Sequence, residues 1–314
     1  MSTGTRRIDG NAFEKMIRGA AAHLKNAEKE LNSLNVFPVA DGDTGTNMRL
    51  TLENGMKSAG SSERLSQYLK NLSTGLLLSA RGNSGVILSQ LFKGIYLELS
   101  RCSAAGTEEL RNAFIRAHIQ AYSTVIHPVE GTILTVAREG IENIKQYITR
   151  ELTIEDMLRM YIAEMEKVLR RTPDLLPILK ESGVIDSGGK GYITLIRGML
   201  AALTGEAMPE GGSAPETTEN KAHPDLDLFN ENSVFEKGYC MEFILQGLND
   251  RQYVQKLDIP DFIRRLGRLG DSLVVVPDER RVKVHIHTKK PADIIMLAQI
   301  YGEFLAFKLE NMQV

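Results

Sequence analysis

Residues 35–48 of the chain read NVFPVADGDTGTNM, and this stretch sets the interpretation of everything around it. Asp41 and Asp43 stand one residue apart in a glycine-rich turn that leads into a helical pattern. Paired carboxylates supply the oxygen ligands that Mg²⁺ and Ca²⁺ prefer. The free N–H groups at the start of the next helix favour phosphate. The run therefore predicts a site for a metal-bridged nucleotide phosphate.

Two other interpretations of this run can be compared with the metal site. An EF-hand loop that began at Asp41 would need glycine at its sixth position and glutamate at its twelfth. The chain has Thr46 and Leu52 there, which excludes the EF-hand. A simple helix cap is the remaining alternative, because Asp and Thr are preferred N-cap residues. The doubled aspartate, with Asn35 before it and Asn47 after it, favours the metal site.

Length and composition place the chain among ordinary globular proteins and exclude several classes of function. A net charge of −2 over 314 residues gives no electrostatic footprint for nucleic acid. No apolar run reaches the length of a membrane span, and the first residues lack the apolar stretch of a signal peptide. The two cysteines, Cys102 and Cys240, provide no disulfide framework. We therefore expect a cytoplasmic protein that does not bind nucleic acid.

Helical periodicity dominates the first two thirds of the chain. It predicts eight helices, near residues 8–34, 46–58, 63–80, 84–100, 107–125, 132–148, 154–171 and 190–203. We therefore expect an all-helical domain over residues 1–205. Residues 206–233 are polar, acidic and rich in proline and glycine, which predicts a flexible linker.

Residues 234–314 change to a period of two and predict a second, smaller domain. The expected order of elements is β-α-β-β-α-β, a two-layer α/β sandwich. The strands are predicted at 239–245, 272–276, 281–288 and 304–309, and the helices at 258–269 and 291–301. Because this module is small, rich in strands and without a catalytic motif of its own, we expect it to form a homodimer.

Three further junctions between predicted helices are rich in glycine and hydroxyl side chains. They are ARGNSGVILSQ (80–90), PVEGTILT (128–135) and GVIDSGGKG (183–191). The last is not a Walker A loop, since Gly189 stands where lysine belongs and Gly191 follows Lys190. Each junction alone is compatible with a helix–helix turn and its N-cap, and the last also with a lid over a nucleotide. If the junctions gather at one end of a bundle, they form a ring of helix N-termini that suits a polyanion.

A different set of residues in the second domain has the chemistry of a zinc site. His285 and His287 are two residues apart on a predicted strand, so their rings share one face, and Cys240 lies on another predicted strand. One cysteine and two histidines suit Zn²⁺, with water or a partner residue as the fourth ligand. The alternative is a free buried cysteine beside two exposed histidines.

These motifs together resemble a known family. The ATP-binding domain of the dihydroxyacetone kinase family, and in particular of the catalytic subunits of bacterial fatty acid kinases, is similar to the chain at 35–48, 80–90, 128–136 and 183–191. Residues 234–314 resemble the middle domain of the same subunits. The resemblance implies an eight-helix antiparallel barrel with ATP and two Mg²⁺ ions at one open end. Members of the family continue into a C-terminal domain, and without it we expect ATP binding but weak phosphorylation.

The resemblance also implies roles for individual residues. Asp41 and Asp43 would bind Mg²⁺ and act in catalysis. Dihydroxyacetone kinases place a third aspartate a few residues earlier, and Asn35 stands near that position with one extra residue between, so the resemblance implies a weaker third ligand that would bind through its side-chain carbonyl. Nucleotide binding would fall to a larger set, which supplies phosphate-binding backbone, hydroxyl and amide groups: Thr44, Gly45, Thr46, Asn47, Gly82, Asn83, Ser84, Gly85, Thr132, Asp186, Ser187 and Gly188.

The reaction implied is transfer of the γ-phosphoryl group of ATP to a fatty acid carboxylate that a separate fatty-acid-binding protein presents. The motifs contain no convincing general base, which suits a carboxylate acceptor that is already ionised at neutral pH. Two alternatives stay open. One is a dihydroxyacetone-type hydroxyketone kinase, and the other is a non-catalytic scaffold that senses ATP.

Overall fold

The computed structural model describes residues 4–206, 238–247, 257–278 and 281–312. It divides the chain into two compact units, Met1–Gly211 and Gly212–Val314. The linker predicted over residues 206–233 lies, apart from its first residue, outside the described residues. The domain boundaries at 205 and 234 therefore stay predictions.

The first unit is all-helical over its described residues. Its helices are α1 (Gly10–Ser33), α2 (Thr44–Ala59), α3 (Leu65–Ser79), α4 (Gly82–Leu99), α5 (Thr107–Thr124), α6 (Ile133–Glu142), α7 (Ile154–Arg170), α8 (Thr172–Leu175), α9 (Pro177–Ser182) and α10 (Ser187–Thr204). A 3₁₀ helix, Lys145–Tyr147, follows α6. The all-helical class is confirmed, while the closed barrel stays a prediction. None of the helices in the described parts of the chain is both long enough and apolar enough to cross a lipid bilayer.

The structure adds helices that the periodicity did not predict. The helix predicted over 132–148 is divided into α6 and the 3₁₀ helix. Helices α8 and α9 each start at a proline-containing turn and last one or two turns, which is too short to show an apolar period. Helix α10 begins at Ser187, whereas the periodicity predicted a start near 190. The first turn was missed because it is rich in glycine and contains no apolar residue that would mark a buried face.

Helix α1 is the element that positions the site. Its N-terminus is capped by Asp9, whose carboxylate accepts the Ala12 N–H at 2.8 Å. Its buried face packs closely on α10: a Cβ atom added to Gly19 would lie 2.3 Å from the Gly198 carbonyl oxygen. A Cβ atom added to Gly198 would lie 2.5 Å from the Gly19 carbonyl oxygen. The two backbones therefore touch, which fixes the C-terminal end of α1 beside the start of α10.

The second unit has the predicted order of elements: β1 (Tyr239–Gly247), α11 (Ile259–Leu266), β2 (Asp271–Asp278), β3 (Arg281–Thr288), α12 (Pro291–Gln299) and β4 (Gly302–Asn311). The strands form one antiparallel sheet in the order β2-β3-β1-β4. Met241 and Phe243 of β1 are buried apolar residues, and they alternate with Cys240 and Glu242. Because successive side chains of a strand point to opposite faces, Cys240 and Glu242 share the other face.

Candidate functional site

The acidic loop joins α1 to α2, and its aspartates are not used as helix caps. Asp43 occupies the N-cap position of α2, but its side chain makes no capping hydrogen bond. The capping-only interpretation required such a bond. The carboxyl group of Asp41 instead interacts with the side chain of Asp43. The structure thus brings the side chains of the two predicted metal ligands together, and neither carboxylate caps the helix.

The electrostatics of the pair indicate a cation site. Desolvation within the loop and the negative charge of Asp43 raise the pKa of Asp41 to about 7. Asp41 as a whole residue is exposed, and its carboxyl group interacts with the carboxyl group of Asp43. Two carboxylates this close repel each other unless a proton or a cation lies between them. Their oxygen donors fit Mg²⁺, which would remove that repulsion.

Asn35 holds the loop in place. Its Nδ2 donates to the Val39 carbonyl oxygen at 2.6 Å and to Asp41 Oδ1 at 3.1 Å. Its Oδ1 accepts the Thr44 N–H at 3.1 Å and also accepts the Thr44 hydroxyl. The side-chain carbonyl that was expected to bind metal is therefore occupied by Thr44. Asn35 positions Asp41 and the start of α2, and a ligand role for it stays a prediction.

The first turn of α2 is anchored on α1. The Thr46 N–H donates to Asn32 Oδ1 at 3.1 Å, and the Thr46 hydroxyl donates to Glu28 Oε1 at 2.6 Å. A Cβ atom added to Gly45 would lie 2.5 Å from the Glu28 carbonyl oxygen, so only glycine permits this approach. Asn32 and Glu28 were missed by sequence inspection because they read as ordinary polar residues of a long helix.

The second junction lies against the first. Gly82 has φ +56, and a Cβ atom there would lie 2.5 Å from Asn47 Nδ2. Behind it, the Arg81 N–H donates to the Thr51 hydroxyl oxygen at 3.1 Å. Helix α4 begins at Gly82 with Arg81 at its N-cap position, so neither Asn83 nor Ser84 is the N-cap of this helix.

Asn83 leaves one atom of this junction unsatisfied. Its Oδ1 is buried and has no hydrogen-bond partner among the described residues. A buried acceptor of this kind costs free energy unless something donates to it or it coordinates a cation. Ser84 is only partly buried. Gly85 is buried beside Thr51, and a Cβ atom added to it would lie 2.4 Å from the Thr51 hydroxyl oxygen.

The third and fourth junctions also meet. Thr132 caps α6: its hydroxyl oxygen accepts the Leu134 N–H at 3.3 Å and its hydroxyl donates to the Val129 carbonyl at 2.8 Å. Asp186 caps α10, accepting the Gly189 N–H at 2.6 Å, and also interacts with the Ile133 backbone N–H at the start of α6. Burial raises the pKa of Asp186 to about 7, against these two N–H groups.

Two residues tie the fourth junction to its neighbours. The Ser187 hydroxyl donates to the Leu31 carbonyl oxygen at 2.6 Å, and Ser187 is buried. A Cβ atom added to Gly188 would lie 3.3 Å from Ile133 Cβ. The side chains of Asp186 and Ser187 are thus engaged inside the domain, and their contact with a nucleotide stays a prediction.

The starts of α2, α4, α6 and α10 therefore gather around the C-terminal end of α1. Each link is a contact described above: Thr46 with Asn32, Gly82 with Asn47, Ser187 with Leu31 and Asp186 with Ile133. Helix N-termini favour anions, and the paired carboxylates beside them favour a cation. An anion that carries its own divalent ion meets both preferences.

The second unit contains the predicted cysteine–histidine cluster. Cys240 is paired with His287 across β1 and β3, and Glu242 is paired with His285. Cys240, His285 and His287 each offer a ligand atom, and these atoms lie within 4.8 Å of one another. The alternative of exposed histidines is wrong, since His285 and His287 are 2% and 7% exposed.

The pKa values of Glu242 and His287 in this cluster lie well below their usual ranges. Burial acts to raise the pKa of Glu242, but the hydrogen bond to His285 and the nearby positive charges bring it down to about 2. Burial, together with His285, lowers the pKa of His287 to about 4. His287 is therefore neutral at neutral pH.

Comparison with known proteins places the chain in a family. The family profile described as the DAK2 domain matches residues 38–201, more than half of the chain. A second profile, described as the FakA-like middle domain of fatty acid kinases, matches residues 236–314. The protein belongs to the DAK2-domain family, and its second unit is of the FakA-like middle-domain type.

Similar chains are known from bacteria. An uncharacterized protein of Staphylococcus saprophyticus is 40% identical over 98% of this chain and 56% of its own length. Protein YloV of Bacillus subtilis is 38% identical, with the same coverage. The chain thus spans about half the length of these curated relatives. Among solved structures, the dihydroxyacetone kinase of C. freundii is 15% identical, with a TM-score of 0.44 over 64% of this chain and 36% of that one.

Proposed function

We propose that the protein is the ATP-dependent kinase subunit of a phosphotransferase and that it uses two Mg²⁺ ions. The observation that carries this proposal is the pair of carboxylates of Asp41 and Asp43, which do not cap a helix and lie where four helix N-termini gather. Phosphoryl transfer depends above all on positioning and on neutralising charge. Membership of the DAK2-domain family supports the same conclusion.

Different residues of the chain have different roles in the proposed nucleotide site. Asp41 and Asp43 would hold the metal, which when bound would neutralise charge on the phosphate groups of ATP. Asn35 keeps Asp41 in position through its 3.1 Å hydrogen bond. At the start of α2 the Thr44 and Thr46 N–H groups already donate to Asn35 and Asn32. Phosphate would therefore meet the Gly45 N–H and the N–H groups of residues 83 and 84 in the first turn of α4. The start of α6 at Thr132 and the turn at 186–188 would line the rest of the nucleotide site.

A fatty acid carboxylate is the acceptor we propose, with acyl phosphate as the product. Two observations support it. The second unit matches the FakA-like middle domain of fatty acid kinases over residues 236–314. The runs 35–48, 80–90 and 128–135 contain no histidine, lysine or cysteine that could deprotonate a hydroxyl, and Lys190 of the fourth run is engaged in an ion pair with Glu30 at 2.5 Å. A carboxylic acid with a pKa of about 4.3 is already ionised at neutral pH and needs no base.

We also propose two partners. One is a separate fatty-acid-binding protein that presents the acyl chain. The other is a second copy of this chain, paired through the second unit. There, β4 is an edge strand of the sheet, and its Leu305, Phe307 and Leu309 are exposed. Pairing of β4 with β4 of a second copy would extend the sheet and cover these apolar side chains. Sedimentation of the full chain should show a dimer that Phe307→Lys weakens, and an unchanged sedimentation coefficient in this variant would contradict the β4 interface.

One assay separates the activities. The chain is incubated with ATP, Mg²⁺ and either fatty-acid-loaded binding protein from the same organism or dihydroxyacetone, and acyl phosphate is trapped with hydroxylamine. Acyl hydroxamate that disappears in Asp43→Asn supports the proposal. Phosphorylated dihydroxyacetone would instead establish the hydroxyketone kinase. Nucleotide binding with no product from either acceptor would establish a sensing scaffold.

A further inference from the structure

The cysteine–histidine cluster of the second unit has a feature that its sequence alone could not show. His285 is almost fully buried, and its two ring nitrogens meet different surroundings. Nδ1 lies 3.0 Å from Glu242 Oε1. Nε2 is buried and has no hydrogen-bond partner among the described residues. A buried ring nitrogen left unsatisfied costs free energy, so the site as it stands is incomplete.

The side chains around the His285 ring are metal ligands. Cys240 Sγ lies 3.9 Å from Nδ1, the other ring nitrogen of His285, and the rings of His285 and His287 are 4.9 Å apart between centroids. One ligand atom from each of the three residues falls within a 4.8 Å separation. Tetrahedral ligands at zinc bond lengths lie about 3.5 Å apart. Side-chain movements of about one ångström would therefore close the three atoms onto one ion.

Glu242 adds the support that metal-binding histidines normally have. A ligating histidine usually donates its other ring N–H to a carboxylate, which fixes the ring and raises its basicity. The strand register produces this arrangement, because Glu242 is opposite His285 while Cys240 is opposite His287. All four side chains lie on the same face of the β1–β3 pair.

We propose that Cys240, His285 and His287 form a Zn²⁺ site in the second unit, with Glu242 as the residue that orients His285. The soft sulfur and the two imidazoles select zinc over Mg²⁺ or Ca²⁺, which require oxygen ligands. Three protein ligands leave the fourth position to solvent or to another molecule. The alternative, a buried His285–Glu242 ion pair beside a Cys240 thiol that binds no metal, leaves the His285 Nε2 atom without a partner among the described residues.

Metal analysis of the full chain tests the proposal. The protein is expressed with added zinc, dialysed against metal-free buffer without chelator, and its zinc content measured by mass spectrometry. We expect one zinc ion per chain in the wild type. Cys102→Ser is the matched control, because it removes the other cysteine, which lies in the helical unit, and it should keep the full zinc content. Cys240→Ser and His287→Ala should each lower zinc affinity at least tenfold.

Two further measurements protect the test against misfolded variants. Glu242→Gln keeps all three ligands and should weaken zinc binding by about 10- to 100-fold, as loss of a supporting carboxylate does. Replacing zinc by Co²⁺ in the wild type should give visible bands of a tetrahedral ion and a thiolate charge-transfer band that Cys240→Ser abolishes. Folded wild-type protein that retains no zinc and shows no such cobalt spectrum would overturn the proposal, as would equal zinc in Cys240→Ser and Cys102→Ser.

Discussion

The side-chain amide of Asn35 donates a 3.1 Å hydrogen bond to the carboxylate of Asp41, while its carbonyl oxygen accepts from Thr44 at the start of α2. One buried amide therefore couples the position of the acidic loop to the helix that follows it. Hydrogen bonds of the protein itself therefore hold the acidic loop, and we expect them to preorganise the proposed nucleotide site.

Removal of this amide should affect both stability and binding. Asn35→Ala leaves the Thr44 N–H and the Val39 carbonyl oxygen without their partner, and we expect a loss of about 1–3 kcal/mol in the free energy of unfolding. Affinity for Mg²⁺ and a non-hydrolysable ATP analogue should fall with it in titration calorimetry. Asn54→Ala, which removes a partly exposed amide from α2, is the control and should change neither. Unchanged affinity in folded Asn35→Ala would show that the loop does not depend on this residue.

Gly82 should tolerate no side chain, for two separate reasons. Its φ of +56 disfavours any other residue, and the new Cβ would lie 2.5 Å from Asn47 Nδ2. We expect Gly82→Ala to lose about 2 kcal/mol or more in urea unfolding. Gly205→Ala isolates the backbone effect, because φ is +70 and nothing lies near its Cβ position. Its loss should be about 1 kcal/mol, and equal losses in the two variants would mean that the Asn47 contact is not restrictive.

Magnesium-dependent nucleotide binding should weaken as the pH falls. The pKa of Asp41 is raised to about 7, so at lower pH the pair holds a proton that the metal must displace. Affinity should be nearly constant above pH 8 and decrease about tenfold per pH unit once well below pH 7. Calorimetry in two buffers of different ionisation enthalpy should show proton release near pH 7. Constant affinity from pH 8 to pH 6 would indicate that both aspartates are already ionised in the free protein.

Ser187→Ala separates a structural role from a nucleotide contact. The Ser187 hydroxyl is used on the Leu31 carbonyl oxygen at 2.6 Å, so its loss should lower the free energy of unfolding by about 1 kcal/mol. Nucleotide affinity should change little. Ser123→Ala, which removes an exposed hydroxyl bonded to a backbone carbonyl at 2.8 Å, should have a smaller effect on stability. A large loss of affinity with normal stability would restore Ser187 as a nucleotide ligand.

The fold was largely predictable because its signals are local. Apolar spacing such as that of Phe13, Met16, Ile17 and Ala20 marks a buried helix face, and all four residues are buried. The alternation in β1 and β3 likewise marked the second unit as an α/β module. Helices α8 and α9 were missed because stretches this short carry no measurable period.

The site was predictable in its chemistry but not in its contacts. The doubled aspartate indicated a metal, and the structure brings Asp41 and Asp43 together. Which polar groups remain free depends on long-range partners that no motif records. Ser187 is engaged by Leu31, more than 150 residues earlier in the chain, and Asn35 is occupied by Thr44. In the same way, the unpartnered nitrogen of His285 becomes visible only when β1 and β3 are aligned.

Titration calorimetry of a non-hydrolysable ATP analogue, with and without Mg²⁺, tests the central claim most directly. We predict binding heat that requires Mg²⁺ in the wild type and that is lost in Asp41→Asn and in Asp43→Asn, while circular dichroism shows that both variants keep their helices. Binding that is equal with and without Mg²⁺, or unchanged when either aspartate is neutralised, would contradict the account.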